Sequence, residues 1–403
     1  MQYIFFIIFI ISVLIFGSIT VGPFSIRVYM TVFMLAYLVM HQRNNTERMM
    51  AIRRDYIKLF LLCIFALFVS LFINGGLIAY GFWVRCLAYY LVCIVAYFAV
   101  DICVKKEEQY HILSFVLSLI ILLDSGVTLL QYFNNPIGWG IGAIFSDVED
   151  FASFLDEHES FAGVSKIPGI FGHPVSNGFF LTVTTSMLLI GIDRKKIFST
   201  LYYTAVISVS LVSCIFLQQR AAFFLLLIFI AYNLFKTYGT KPNKIVIPAV
   251  LIGALIIIIA PIFDDFDFSR LTSSDNRSRT SVWLWASGVI MQNPLFGDIV
   301  AYNKAAEYSA HNILIDSLID SGLLGFIPLM ILYFKTIKDA LKIMLHTKNR
   351  YARVFSYSVL TCMAMGMFHN TSYLTGDVII FIVLALMFKA QKMSQSPQTV
   401  ICS

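Results

Sequence analysis

Charge is the scarcest property of this chain. Asp, Glu, Lys and Arg make up 13% of its 403 residues against 59% hydrophobic residues. With a mean hydropathy of +0.81, that leaves too little polar surface to cover a water-soluble globule of this length. Cysteine is sparse too: Cys63, Cys86, Cys93, Cys103, Cys214, Cys362 and Cys402 are scattered and none forms a C-x-x-C pair. Neither a cysteine metal centre nor a disulfide framework is indicated, and the side chains read as small apolar fillers. Carboxylates within apolar runs are rarer still, with Asp124 deep in one and Asp101 near the end of another, and no internal repeat is visible. Transporters usually show repeats, broken helices and ionisable groups at mid-membrane, so that class fits poorly. The first apolar run has no basic segment before it and no small-residue cleavage site, so it is expected to stay as a helix rather than act as a signal peptide.

What is present is a succession of apolar runs, about a dozen of them, each near the length that crosses hydrocarbon as a helix. The expected spans are 2–17, 26–40, 58–74, 86–104, 111–132, 174–192, 198–217, 221–235, 245–262, 321–337, 353–368 and 375–390. The fold class is therefore an all-α polytopic membrane protein. Its expected organisation is N-terminal spans over 1–132, a long outer loop over 133–173, four spans over 174–262, a second long outer loop over 263–310, and the last spans with a tail over 311–403.

Orientation follows from the basic residues. With the N-terminus inside, one side collects Arg43, Arg48, Arg53, Arg54, Lys105, Lys106, Arg194, Lys195, Lys196, Lys236, Lys241, Lys244 and the set from Lys335 to Arg353. Cytoplasmic connections are rich in Lys and Arg, so both termini are expected inside. Trp83, Trp139, Trp283 and Trp285 then fall on outer connections or near outer helix ends, where amphipathic rings favour the interface. The net charge of +6 reports topology, not nucleic-acid binding.

Long loops on one face are where a membrane enzyme can build a site. The first is acidic, with Asp147, Glu149, Asp150, Asp156, Glu157 and Glu159 against Lys166, and its 147–160 stretch suits a short helix. A solvated face, acid/base chemistry and a divalent cation all remain open for it. The second carries Arg270, Arg277 and Arg279 ahead of an apolar stretch from Thr280 to Met291. Arginines at the head of an interfacial helix suit a diphosphate, through forked donors and the free N–H groups of the helix start. Arg279, four residues before Trp283, shares its helix face. Headgroup anchoring is the competing account for all three.

Arg220 lies in a tight reversal, Gln218-Gln219-Arg220-Ala221-Ala222, between two apolar runs. There an arginine either snorkels or meets an anion. His311-Asn312 opens a run that descends through Asp316, Asp320 and Gly322, with Pro328 as the expected kink and Asp320 as an expected cap for a break at Gly322. Imidazole suits proton abstraction near neutral pH. The same topology places Arg220, Arg279 and His311 on the outer face, a set suited to a lipid-linked anionic substrate.

These blocks resemble the O-antigen ligase/polymerase family. The resemblance rests on Gln-Gln-Arg220-Ala-Ala, on Arg279-x-x-x-Trp283 followed by Asn293-Pro-Leu-Phe-Gly297, and on His311-Asn312-x9-Gly322-x-x-Gly325. An upstream block, Gly169-Ile-Phe-Gly172-His173-Pro174-Val-Ser-Asn177-Gly178, is also similar. It spans roughly residues 165–330, and the first 130 residues match only as generic apolar runs. Where family members often carry Gly-x-Gly after Pro-Leu-Phe, this chain has Gly297-Asp298-Ile299.

The resemblance implies a fold similar to C-type glycosyltransferases. It further implies an enzyme that takes an undecaprenyl-diphosphate-linked oligosaccharide as donor at the periplasmic face of a bacterial inner membrane, with no cofactor and no metal. Arg220 and Arg279 would hold the diphosphate and His311 would deprotonate the acceptor hydroxyl, with Arg277, Arg270, Asn312 and His173 in supporting contact with substrate. An O-antigen polymerase is the preferred expectation, joining lipid-linked repeat units with inversion. A ligase acting on lipid A-core is the alternative, and a flippase is the more distant one. Expected partners are the acceptor glycan, membrane lipids and a chain-length regulator, with no nucleic acid.

Overall fold

Apolar runs of this kind have one economical conformation in hydrocarbon, because a helix pairs every backbone N–H and C=O within its own segment. The computed structural model describes residues 2–17, 19–21, 24–42, 54–74, 80–145, 167–172, 174–192, 196–217, 219–238, 277–298, 312–368 and 377–395. In chain order these form α1 (Gln2–Leu14), a two-residue antiparallel ribbon of β1 (Thr20–Val21) and β2 (Phe24–Ser25), α2 (Ile26–Gln42), α3 (Arg54–Asn74), α4 (Tyr80–Cys103), α5 (Glu108–Tyr132), α6 (Pro136–Phe145) and α7 (Pro174–Leu188). They continue as α8 (Ile197–Phe216), α9 (Arg220–Tyr238), α10 (Arg277–Gln292), α11 (Ile313–His346), α12 (Arg350–Phe368) and α13 (Val378–Gln395). Among the described residues α3, α5, α8, α11 and α13 are long and apolar enough to cross a membrane. Their outward faces are apolar too, as Phe65, Phe72, Phe198 and Phe334 show, and such faces are stable only against lipid. The chain is an all-α, multi-pass membrane protein.

Two compact units divide it. The first is Met1–Gln109 with Arg277–Ser403. Here α11 packs chiefly on α3 and α12, α13 lies between α12 and α4, and α1 and α2 pack on α4. Polar ties reinforce these contacts: the Tyr333 hydroxyl of α11 donates to the Met363 carbonyl of α12, and the Tyr56 hydroxyl of α3 donates to Asp339 of α11 at 2.8 Å. Asp101, expected near the end of a span, is paired with Lys389 at 3.1 Å, and Lys335 meets Asp55 at 2.9 Å. The second unit is Tyr110–Asn276. Its α7 packs on α8 and α9 through a face rich in small hydroxyl residues. Thr185 and Ser210 share a 2.6 Å hydrogen bond across the α7–α8 contact, while Thr182 and Thr184 return theirs to carbonyls one turn earlier in α7. Small polar residues permit close approach of helices in lipid.

Each expected span other than 245–262 overlies a helix, and 245–262 lies outside the described residues. So does the expected helix over 147–160. The expected loop over 133–173 opens with α6, whose Trp139 is buried and donates from its indole to Asn134 at 2.9 Å. In α11 the expected break is present. Its backbone departs from helical geometry at Gly322 (φ 56, ψ −158), whereas Pro328, the expected kink, sits in helical backbone six residues later.

Candidate functional site

In the first unit, α10 begins at Arg277 and places Arg279 in its first turn, so the expected helix headed by arginines is present. Arg270 lies outside the described residues. One turn on, Trp283 is exposed, and Leu284 and Met291 are exposed as well. The opposite face carries Ala286 and Val289, which form an apolar cluster with Ile319 of α11, flanked by Trp285, Ile290 and Ile315. That cluster fixes which side of α10 is turned to the protein.

The Asn293-Pro-Leu-Phe-Gly297-Asp298 segment leaves α10 and closes on the break in α11. Asp298 N–H donates to Ile319 O at 2.6 Å, and the N–H groups of Leu323 and Leu324 donate to Pro294 O and Leu295 O at 2.9 and 3.1 Å. A helix break strands carbonyls before it and N–H groups after it, and here loop backbone satisfies them. Asp320 does not serve as the expected cap; its Oδ1 is buried without a hydrogen-bond partner. Asp298, at the variable position of the Gly-x-Gly pattern, joins this contact through its backbone N–H, while Ile299, where that pattern has its second glycine, lies outside the described residues.

The N-terminal end of α11 is set by Asn312. Its Oδ1 accepts from Leu314 N–H at 2.9 Å and Ile315 N–H at 3.4 Å, the pattern of an N-cap, and its Nδ2 donates to Met367 O of α12 at 3.2 Å. The residue expected to touch substrate therefore has both ends of its amide engaged in holding this helix start. His311 lies outside the described residues and immediately precedes that cap. Asp316, one turn into the helix, is buried.

In the second unit, Arg220 is the first residue of α9. The reversal before it is tight: Leu217 N–H bonds Ser213 O at 2.8 Å and Gln219 N–H bonds Cys214 O at 3.0 Å, while Phe223 N–H returns to Gln219 O at 3.0 Å. Ala222 is fully buried, the close packing that the two alanines suggested. Gly178 of α7 lies against the Gln219 side chain, where a Cβ would come within 2.7 Å of Cγ.

A buried polar knot holds the segment leading into α7. Asp124 Oδ1 accepts from Ile170 N–H and from Asn177 Nδ2, each at 3.0 Å. Gln131 accepts from Gly169 N–H at 2.9 Å and donates to the carbonyls of Gly138 and Gly169 at 3.2 Å. Asp124, Gln131 and Asn177 are almost wholly buried, so these bonds replace water that cannot reach them. His173 lies outside the described residues, just before Pro174 opens α7. Asp124 drew notice as the lone deep carboxylate, but Gln131 was missed, although it stands seven residues on and so on the same helix face. Asn74 in the first unit, which donates to Gly297 O at 2.6 Å, was missed as well, and nothing in its sequence neighbourhood signals it. Among the described residues no three His, Cys, Asp or Glu side chains are grouped as metal ligands.

Residues 204–330 match the family model described as O-antigen ligase. No curated protein matches the chain. The matched segment, less than half of the chain, takes in Arg220, Arg279 and His311 together with the Gly297–Gly322 contact, and over it the chain is similar to the O-antigen ligase family.

Proposed function

We propose that this protein is an O-antigen polymerase that joins undecaprenyl-diphosphate-linked repeat units at the periplasmic face of the inner membrane. The observation that carries the reading is that Arg220 and Arg279 stand at or within the first turn of α9 and α10, inside the family-matching segment. The start of a helix of this length offers unpaired N–H groups and a positive dipole end to an anion. An arginine there adds a planar fork matched to phosphate oxygens.

The chemistry asks little else of the protein. The donor leaves as a diphosphate, a stable anion, so no acid has to protonate it. His311 takes the proton of the acceptor hydroxyl, and that oxygen forms a bond to the anomeric carbon. The bond from the anomeric carbon to the diphosphate oxygen breaks with its electron pair kept by the diphosphate, whose growing charge Arg220 and Arg279 stabilise. Attack opposite the leaving group inverts the anomeric centre. Arg270 and Arg277 supply further positive charge, Asn312 sets the helix that follows His311, and His173 orients the start of α7. A chain-length regulator would act as partner rather than as part of this chemistry.

The two long outer loops, 133–173 and 263–310, suit an enzyme that holds two glycan chains, which favours a polymerase. The family description favours the second reading, a ligase using the same groups with lipid A-core as acceptor. Deleting the gene and examining surface polysaccharide separates them. Single repeat units on lipid A-core indicate a lost polymerase. Long lipid-linked chains with nothing on the core indicate a lost ligase and overturn the first reading.

A further inference from the structure

The break at Gly322 is closed by a part of the chain that also carries a proposed substrate ligand. Three backbone hydrogen bonds join residues 294–298 to residues 319–324, and in hydrocarbon such bonds have no competition from water. Gly297 (φ 68) and Gly322 (φ 56) both occupy the left-handed region and sit backbone to backbone. A Cβ on Gly297 would stand 2.5 Å from both Gly322 N and Ile319 O, and one on Gly322 would stand 2.5 Å from the Leu295 carbonyl carbon. Neither position has room for a side chain. Asn74, the last residue of α3, latches this contact from a third element. Its Nδ2 donates to Gly297 O at 2.6 Å and to Ser70 O, within its own helix, at 3.0 Å.

We propose that this interlock fixes the head of α10, where Arg279 lies, against the N-terminal end of α11, which follows His311, and that Asn74 is a positioning residue for glycosyl transfer. The proposal rests on the roles assigned above to Arg279 and His311. The helix α10 is held to α11 at two successive places: the apolar cluster of Ala286, Val289 and Ile319, and the backbone bonds that begin at the same Ile319. Five residues separate the end of α10 at Gln292 from Asp298, so any shift of the loop is passed to the helix. Asn74 is the side chain that ties this assembly to α3, the helix on which α11 chiefly packs.

A reacting geometry misplaced by about 1 Å costs up to about 10²-fold in rate. Loss of one latch with the backbone bonds intact is a smaller perturbation, and about a 10-fold fall in kcat is expected. Donor KM should stay within about 2-fold, because the arginine that binds the diphosphate remains on its helix.

The test uses the full-length protein in detergent with lipid-linked repeat units purified from the deletion strain, and expresses kcat per mole of folded protein. Asn74→Ala and Asn74→Asp are compared; the second keeps the shape but cannot donate to Gly297 O while ionised. Both variants are expected to lose kcat alike at unchanged donor KM. Wild-type kcat in Asn74→Asp would show that shape alone matters and would overturn the proposal, as would a rise in donor KM at unchanged kcat. Arg279→Lys and His311→Ala are run beside them. If those two stay fully active, the functional reading fails and the positioning role fails with it; if they are inactive while both Asn74 variants turn over normally, the positioning role alone fails.

Discussion

Replacing Gln131 tests whether buried polar bonds, rather than packing, hold the segment that leads into α7. The side chain is 1% exposed and makes three hydrogen bonds, accepting from Gly169 N–H and donating to Gly138 O and Gly169 O. Gln131→Leu fills most of the same volume but leaves the Gly169 N–H and two carbonyls without these partners. An unpaired buried donor costs about 1–3 kcal/mol, and a carbonyl that loses one of its donors costs less, so the total should be about 3 kcal/mol. If the second unit, Tyr110–Asn276, unfolds cooperatively, each kcal/mol lowers Tm by roughly 2–4 °C for a unit of this size. A drop of about 6–12 °C follows. With the other six cysteines replaced, the buried thiol of Cys214 in the same unit reports the transition through a thiol-reactive fluorophore added during heating. Gln131→Ala should fall at least as far, because it adds a cavity. If Gln131→Leu melts within about 2 °C of the parent while Gln131→Ala does not, packing alone accounts for the site and the hydrogen-bond argument is refuted.

The remaining predictions address topology and chemistry. A cysteine placed near Asp150 or Lys304 should react with a membrane-impermeant thiol reagent in cells whose outer barrier is permeabilised, and one near Lys241 should not; the reverse pattern would invert the orientation inferred from the basic residues. Arg220→Lys and Arg279→Lys should each lose most activity at near-normal protein level, since an ammonium cannot reproduce the planar fork. Full activity in both would make interfacial anchoring the better account. His311→Ala should abolish glycan transfer while donor binding persists, and His173→Ala should be milder. Activity of the parent should fall as pH becomes acidic, because a protonated imidazole has no lone pair for the acceptor proton; transfer by His311→Ala at the parent's rate would remove the histidine from the mechanism.

The sequence alone determined the features that depend on local composition. Apolar runs with almost no internal charge have to be helices once water is excluded, so most of the helices were legible, although α6 was not expected and α11 extends beyond its expected span at both ends. The start of α10 at its arginines and the reversal before Arg220 were legible for the same reason, since charge and small residues interrupt the apolar pattern there. Tertiary structure decided what depends on groups far apart in the chain. The break in α11 at Gly322 was legible, but what closes it was not: its stranded backbone groups take their partners from residues 294–298 rather than from Asp320. Asn74 and Gly297 are more than two hundred positions apart, and no periodicity relates them. Gln131, Asp124, Gly169 and Asn177 meet across a loop and two helices, where burial turns ordinary polar side chains into obligatory hydrogen-bond partners.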